Sequence, residues 1–435
     1  MALGGDVSRQ LFYILAVLLS SGATFLCNYI YSQRLSVEAY GQFGLLLGLL
    51  GIFGSFAMLG QATAFTTVFF SDEKRGGASS YPELIKSLKL ICISSLIVIF
   101  LGLSLWFVFF QGVVGVALAV GLSAAIVMSA YRDFFISAIT CTDSYKVYLC
   151  SVAVFAVTFV SVVFYGATVE YYFYGLALAS MFLSVISMAV LGKKIKPLQE
   201  IRGRIFTANE LVSFGWVAIP GMLISAMNSY VDRYMIMGML SLKEVGYYTL
   251  AATLSVGVGN VLVNSLVRAN VVTMLQALQK NNIEKYLRVS QNVYLVLGFA
   301  ACMASICYYF FGQELIVYIF GEKYREATTL MVPLFLCVII VGASQVVGQA
   351  LVQGKKLYIL VRVSVVILMT NVAANYFLIS FLGVKGAVAA FAISVITGLL
   401  IICKCSRNIA EYIEYPNKFI FLILSLILLN LWGYS

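Results

Sequence analysis

Strings of about twenty apolar residues, separated by short charged gaps, run from one end of this chain to the other. A helix rises about 1.5 Å per residue, so about twenty residues cross the roughly 30 Å hydrocarbon core of a bilayer. Lipid supplies no hydrogen-bond partners, so a string that enters it must be a helix satisfying its own backbone groups. Composition closes the water-soluble alternative: 62% of the 435 residues are hydrophobic and 11% charged, too few polar side chains to cover a wet surface. The expected fold is an all-α polytopic membrane protein.

Read from gap to gap, the spans lie near 11–31, 40–70, 84–109, 113–131, 147–166, 172–191, 211–237, 246–269, 291–311, 328–350, 357–381 and 385–403, with a shorter string at 418–434. That is twelve spans and a short C-terminal thirteenth. No gap is long enough for an extramembrane domain, so function belongs inside the helix bundle. The first string starts after Arg9 and ends at Ser32-Gln33-Arg34 without a small-x-small cleavage site. It reads as a span rather than a removed leader.

The net charge of +10 is topological. With the N-terminus inside, the even-numbered gaps collect nearly all of the 28 basic residues, among them Lys193, Lys194, Lys196, Arg202 and Arg204 in the sixth gap. The opposite side holds Arg34, Lys243, Lys323, Arg325 and Lys385. This is the positive-inside asymmetry of membrane proteins, and it excludes nucleic acid as the partner that the charge would otherwise suggest.

The chain also repeats itself. Leu35-Ser36-Val37-Glu38-Ala39-Tyr40-Gly41-Gln42-Phe43 follows the first span, and Leu240-Ser241-Leu242-Lys243-Glu244-Val245-Gly246-Tyr247-Tyr248 follows the seventh. Six spans separate the copies, so both halves run in the same direction, related by an axis along the membrane normal. The expected domains are a six-helix bundle at 1–195, a basic cytoplasmic linker at 196–210, a second six-helix bundle at 211–405 and an extra apolar segment at 406–435. Pro220, Gly221 and Pro333 lie inside spans and are candidate hinges, because an interior proline removes a backbone bond and kinks a helix.

Polar side chains fall in rows four residues apart, which places each row on one helix face. They are Asn228 and Asp232; Asn260, Asn264 and Arg268; Gln345, Gln349 and Gln353; and Asn371 and Asn375. The first half offers Asn28 and Gln61. Two readings stand for these rows, a hydrophilic cavity suited to a hydroxyl-rich ligand or hydrogen-bonded glue between helices. Arg233, Arg268 and Arg362 are the deep cations. Arg268 ends a polar row and fits either a phosphate contact or a snorkelling anchor.

Catalysis has little to stand on. The chain has no histidine, no Asp-x-Asp pair and no Gly-Lys-Ser/Thr phosphate loop, so the commonest general base and an ATP-driven motor are both missing. Nine scattered cysteines read as small apolar filler; Cys403 and Cys405 have no second pair to complete a metal site. No enzyme activity, metal or cofactor is expected.

The two Leu-Ser-x-x-x-x-Gly-x-aromatic turns, Val231-Asp232-Arg233-Tyr234-Met235-Ile236 ahead of the second, and Gly321-Glu322-Lys323-Tyr324 with Ala327 before the tenth span together resemble the bacterial polysaccharide-export flippases. These are the Wzx-like branch of the multidrug/oligosaccharidyl-lipid/polysaccharide superfamily. The resemblance covers nearly the whole chain in layout and rests on the order and spacing of short motifs. It implies two six-helix bundles in a V around a central cavity lined by the first, second, seventh and eighth spans. It further implies alternating access and transport of an isoprenoid-diphosphate-linked oligosaccharide for surface polysaccharides such as O-antigen. The setting would be the bacterial cytoplasmic (inner) membrane, with membrane lipids, a coupling proton or sodium ion, and a polymerase or ligase of the same pathway as further partners. The cavity residues are then Asn28, Gln61, Asn228, Asp232, Arg233, Asn260, Asn264, Arg268, Gln345, Gln349, Arg362, Asn371 and Asn375. The rival within the superfamily is an ion-coupled drug or organic-cation exporter, which wants a deep carboxylate in the first two spans. The rival enzyme, a polysaccharide polymerase or ligase, wants a large external loop.

Overall fold

A computed structural model describes residues 3–58, 60–62, 80–109, 115–141, 144–166, 168–195, 208–279, 282–353 and 357–407. Within them the chain is helical throughout. In order the helices are α1 (Leu3–Arg34), α2 (Val37–Ala57), α3 (Ser80–Phe109), α4 (Val116–Cys141), α5 (Tyr145–Tyr165), α6 (Val169–Ile195) and α7 (Ala208–Met239). Then come α8 (Leu242–Gln279), α9 (Ile283–Cys307), α10 (Gln313–Phe320), α11 (Arg325–Gln353), α12 (Leu357–Leu382) and α13 (Val384–Arg407). Ten helical segments among the described residues are long and apolar enough to cross a membrane. The protein is a multi-pass, all-α membrane protein. The string 418–434 and most of the linker 196–210 lie outside the described residues.

Several helices outrun their apolar strings. The string 113–131 ends at Arg132, yet α4 continues to Cys141 because Arg132 and Asp133 pair at 2.8 Å and keep their charges satisfied at the helix surface. The string 291–311 also goes on: a π-helical turn at Tyr308–Gly312 carries α9 into α10 without a break. In the other direction, the string 40–70 is interrupted. The α2 helix stops at Ala57, and Gly60 takes φ +63°, the left-handed region that glycine adopts without strain.

By contacts the chain forms two units. One comprises Met1–Ile30 and Leu46–Ala226, the other Tyr31–Leu45 and Met227–Ser435. In the first unit α6 packs along α4 and α5. Its seam is aromatic: Phe159 and Tyr172 meet edge to face at 5.1 Å, and the Tyr174 hydroxyl donates to the Ala117 carbonyl at 2.8 Å. Ser94 on α3 donates to the carbonyl of Ala57 at 2.5 Å, satisfying one of the groups that the end of α2 leaves open.

In the second unit α11 is the central mast. Every residue from Leu330 to Ile340 is buried, against α8, α9 and α13. Small residues allow the approach that membrane helices need in place of a hydrophobic drive. Gly259 on α8 faces Val338, and Gly342 on α11 faces Val263 in return. Pro333 lies buried within α11, and Pro220 lies within α7, each inside one uninterrupted helix. Between α12 and α13 only Gly383 intervenes, at φ +59°.

Candidate functional site

The most polar buried spot in the described residues centres on Asp232 of α7, in the second unit. Its Oδ1 accepts from Asn371 Nδ2 at 2.9 Å and from Asn375 Nδ2 at 2.7 Å, and its Oδ2 accepts from the Tyr248 hydroxyl at 2.6 Å. Asn375 also donates to Asn371 Oδ1 at 3.1 Å. All four side chains are buried. The four-residue spacing of Asn371 and Asn375 sets both amides on one face of α12, and Tyr248 comes from the first two turns of α8. Three neutral donors stabilise a carboxylate without cancelling its charge. Asp232 is thus held by three neutral donors, with the buried guanidinium of Arg233 on the adjacent residue as the nearby opposite charge. Among the described residues no group of three or more His, Cys, Asp or Glu could hold a metal ion.

Arg233, the next residue, serves a different helix. Its Nη1 donates to the carbonyl of Gly44 in α2 at 3.2 Å, its guanidinium lies 4.9 Å from the centre of the Tyr230 ring, and it is buried. Tyr234 adds a bond from its hydroxyl to the Leu45 carbonyl at 2.9 Å. The Val231–Ile236 segment thus ties the start of α2 to the second unit.

The other motif segments converge on the same place. Gly41 sits so close to α8 that a Cβ there would strike the Leu242 carbonyl, and a Cβ at Gly246 would strike the Val37 carbonyl. Ser36 and Ser241 each cap their helix, accepting from the backbone N–H three residues on at 3.2 and 3.3 Å. Lys323 donates to the Gln33 and Leu35 carbonyls at 3.3 and 2.9 Å, where α1 ends, and Gln33 Nε2 donates to the Ile319 carbonyl at 2.7 Å. Tyr324 stacks edge-on against Tyr40 at 5.9 Å. Gly321, at φ +91°, makes the corner that delivers this turn.

Helix ends fall at equivalent positions of the two motif copies. When Leu35 is matched to Leu240, α1 and α7 end at matching residues, Arg34 and Met239, and α2 and α8 begin at matching residues, Val37 and Leu242. Thr24-Phe25-Leu26-Cys27-Asn28-Tyr29 then aligns with Ser229-Tyr230-Val231-Asp232-Arg233-Tyr234. Cys27 and Asn28, both buried, occupy the positions of Asp232 and Arg233, and Asn28 only bonds back to Thr24 of its own helix at 2.8 Å.

Sequence reasoning placed Asn228, Asp232, Arg233, Asn371 and Asn375 among the site residues. The structure brings Asp232, Asn371 and Asn375 into direct contact, while Asn228 reaches only the Ser364 carbonyl, at 3.4 Å. Arg362 is exposed with its guanidinium over the Tyr358 ring at 5.2 Å. Asn260 and Gln345 are exposed, and Gln61 is buried just past the Gly60 turn. The side chains of Asn264, Arg268 and Gln349 lie outside the described residues. Tyr248 was missed as a donor, although it is the aromatic of the second repeat motif. Lys323 stood in a quoted motif without an assigned role.

No protein-family model matches the chain, and no curated protein matches it. Solved structures do. An inward-facing multidrug resistance MATE family transporter of the MOP superfamily superposes with a TM-score of 0.72 at 14% identity, over 92% of this chain and 96% of that one. The lipid II flippase MurJ in an inward closed conformation gives 0.69 at 13%, over 98% and 92%. A MOP superfamily transporter from Pyrococcus furiosus, described by the reverse polarity of its binding pocket, gives 0.68 at 11%, over 92% and 94%. The chain has a membrane-transporter fold. More narrowly, it is the fold that MATE transporters and MurJ share, and these neighbours are transporters and flippases rather than enzymes.

Proposed function

We propose that this protein is a flippase that moves isoprenoid-diphosphate-linked oligosaccharide from the cytoplasmic to the outer leaflet of a bacterial inner membrane, for surface polysaccharide synthesis. The halves 1–195 and 211–405, joined by 196–210, work by alternating access, with the N-terminus cytoplasmic. The sugar diphosphate enters a wet cavity lined from the Asn, Gln and Arg rows while the isoprenoid tail stays in lipid. Unaided crossing would strip hydrogen bonds from many hydroxyls and solvent from the diphosphate, at several kcal/mol per group. Arg268 meets the diphosphate, and Asp232 takes part in coupling to a proton or sodium ion.

The observation that carries this reading is in the sequence, whose spans carry rows of amides but no acid where a cation pump needs one. No Asp or Glu lies between Asp6 and Glu38 or between Glu38 and Asp72, the stretches that hold the first two spans. A drug or organic-cation exporter is the second reading, favoured by the equal likeness to MATE folds and by the buried carboxylate of Asp232.

The test is deletion of the gene followed by analysis of lipid-linked glycans. Complete repeat units accumulating on the cytoplasmic side support flipping, and restoration fails with Arg268→Ala at normal membrane abundance. Unchanged glycans, with increased sensitivity to cationic drugs, favour the exporter.

A further inference from the structure

The duplicated segments pack on their own equivalents. Gly41 meets Leu242 and Gly246 meets Val37; in the alignment Val37 matches Leu242 and Gly41 matches Gly246. Gly44 and Thr249, also matched, touch as well. The crossing of α2 and α8 is thus isologous, like the interface of a two-fold dimer. At Gly41 and Gly246 the helices meet backbone to backbone. Glycine there allows close approach, so at these two points the contact is between main chains. The closed crossing is also incompletely satisfied: Arg233 Nε and Thr249 Oγ1 are buried without a protein partner, a capacity that water would fill if the helices separated.

Two adjacent residues of α7 hold the crossing, one on each copy. Arg233 donates to the Gly44 carbonyl of the first copy, and Asp232 accepts from Tyr248 of the second. Asp232 is anchored in turn to α12 through Asn371 and Asn375.

We infer that the α2–α8 crossing is a separable joint and that Asp232 and Arg233 are its latch, so that losing either tie moves the joint from closed toward parted. The latch works through the geometry of the second unit and does not depend on which substrate is carried.

The test uses the full chain in lipid nanodiscs, with its nine cysteines replaced. Glu38→Cys and Lys243→Cys introduce spin labels at exposed, matched positions flanking the joint. Pulsed electron–electron distance measurement then reads its state. The wild-type latch should give a short and a long population, and Asp232→Asn or Tyr248→Phe should raise the ratio of long to short about threefold or more. A second arm cuts the other tie: Arg233→Met removes the bond to the Gly44 carbonyl and should raise the same ratio. A single short distance in the parent and in every latch variant overturns the inference, as does a ratio of long to short left unchanged by all of them.

Discussion

Replacing Asn375 by leucine separates a true carboxylate site from ordinary helix glue. The two side chains share the same branching, so the substitution leaves no cavity, and the cost of fitting the larger methyl groups cancels in a double-mutant cycle. Asn375 gives Asp232 a 2.7 Å bond inside a fully buried cluster. Hydrogen bonds to charged groups contribute about 1.5–3 kcal/mol, whereas neutral ones between membrane helices average about 0.6 kcal/mol. If Asp232 is ionised, Asn375→Leu should destabilise by about 2 kcal/mol, roughly thirtyfold in the folded-to-unfolded ratio. In an Asp232→Asn background the same change should cost only about 0.6 kcal/mol, leaving a coupling of about 1.4 kcal/mol in the double-mutant cycle. Reversible unfolding in mixed micelles, followed by tryptophan fluorescence, gives all four corners of the cycle. Additive costs would refute the idea that the amide serves the carboxylate.

Four further outcomes follow from local geometry. Gly41→Ala should destabilise by about 1–3 kcal/mol because its methyl meets the Leu242 carbonyl. Gly257→Ala, with nothing within 4 Å of its Cβ, should stabilise by up to about 1 kcal/mol through helix propensity; paired thermal midpoints check the contrast. Gly321→Ala should cost about 1–3 kcal/mol, since φ +91° with ψ 161° is a region nearly reserved for glycine, read as a lowered midpoint in the same assay. Lys323→Met should cost about 0.5–1 kcal/mol by uncapping the end of α1, with faster proteolysis or hydrogen exchange around Gln33.

The helical membrane architecture was legible because lipid imposes a length and a composition on whatever enters it. Helix ends were less so: hydropathy stopped at Arg132, while the backbone carried on through the Arg132–Asp133 pair. The repeat was legible from two nine-residue turns. Their mutual packing was not, since nothing in Gly41 or Gly246 alone says which backbone each will meet. Asn371 and Asn375 were placeable on one face by spacing, but their partner is an acid some 140 residues earlier (139 and 143), and only the assembled helices bring it near. Arg233 read as a ligand-facing cation; its guanidinium is instead engaged by Gly44 and Tyr230. A side chain whose partner is a main-chain carbonyl leaves no trace in residue type, which is why that tie was invisible.

Cys27 and Asn28 stand where the other half carries Asp232 and Arg233. At this one matched pair of positions the charged side chains stand in the second copy only. There the first copy offers only a thiol and an amide, and a buried charge is present only in the second.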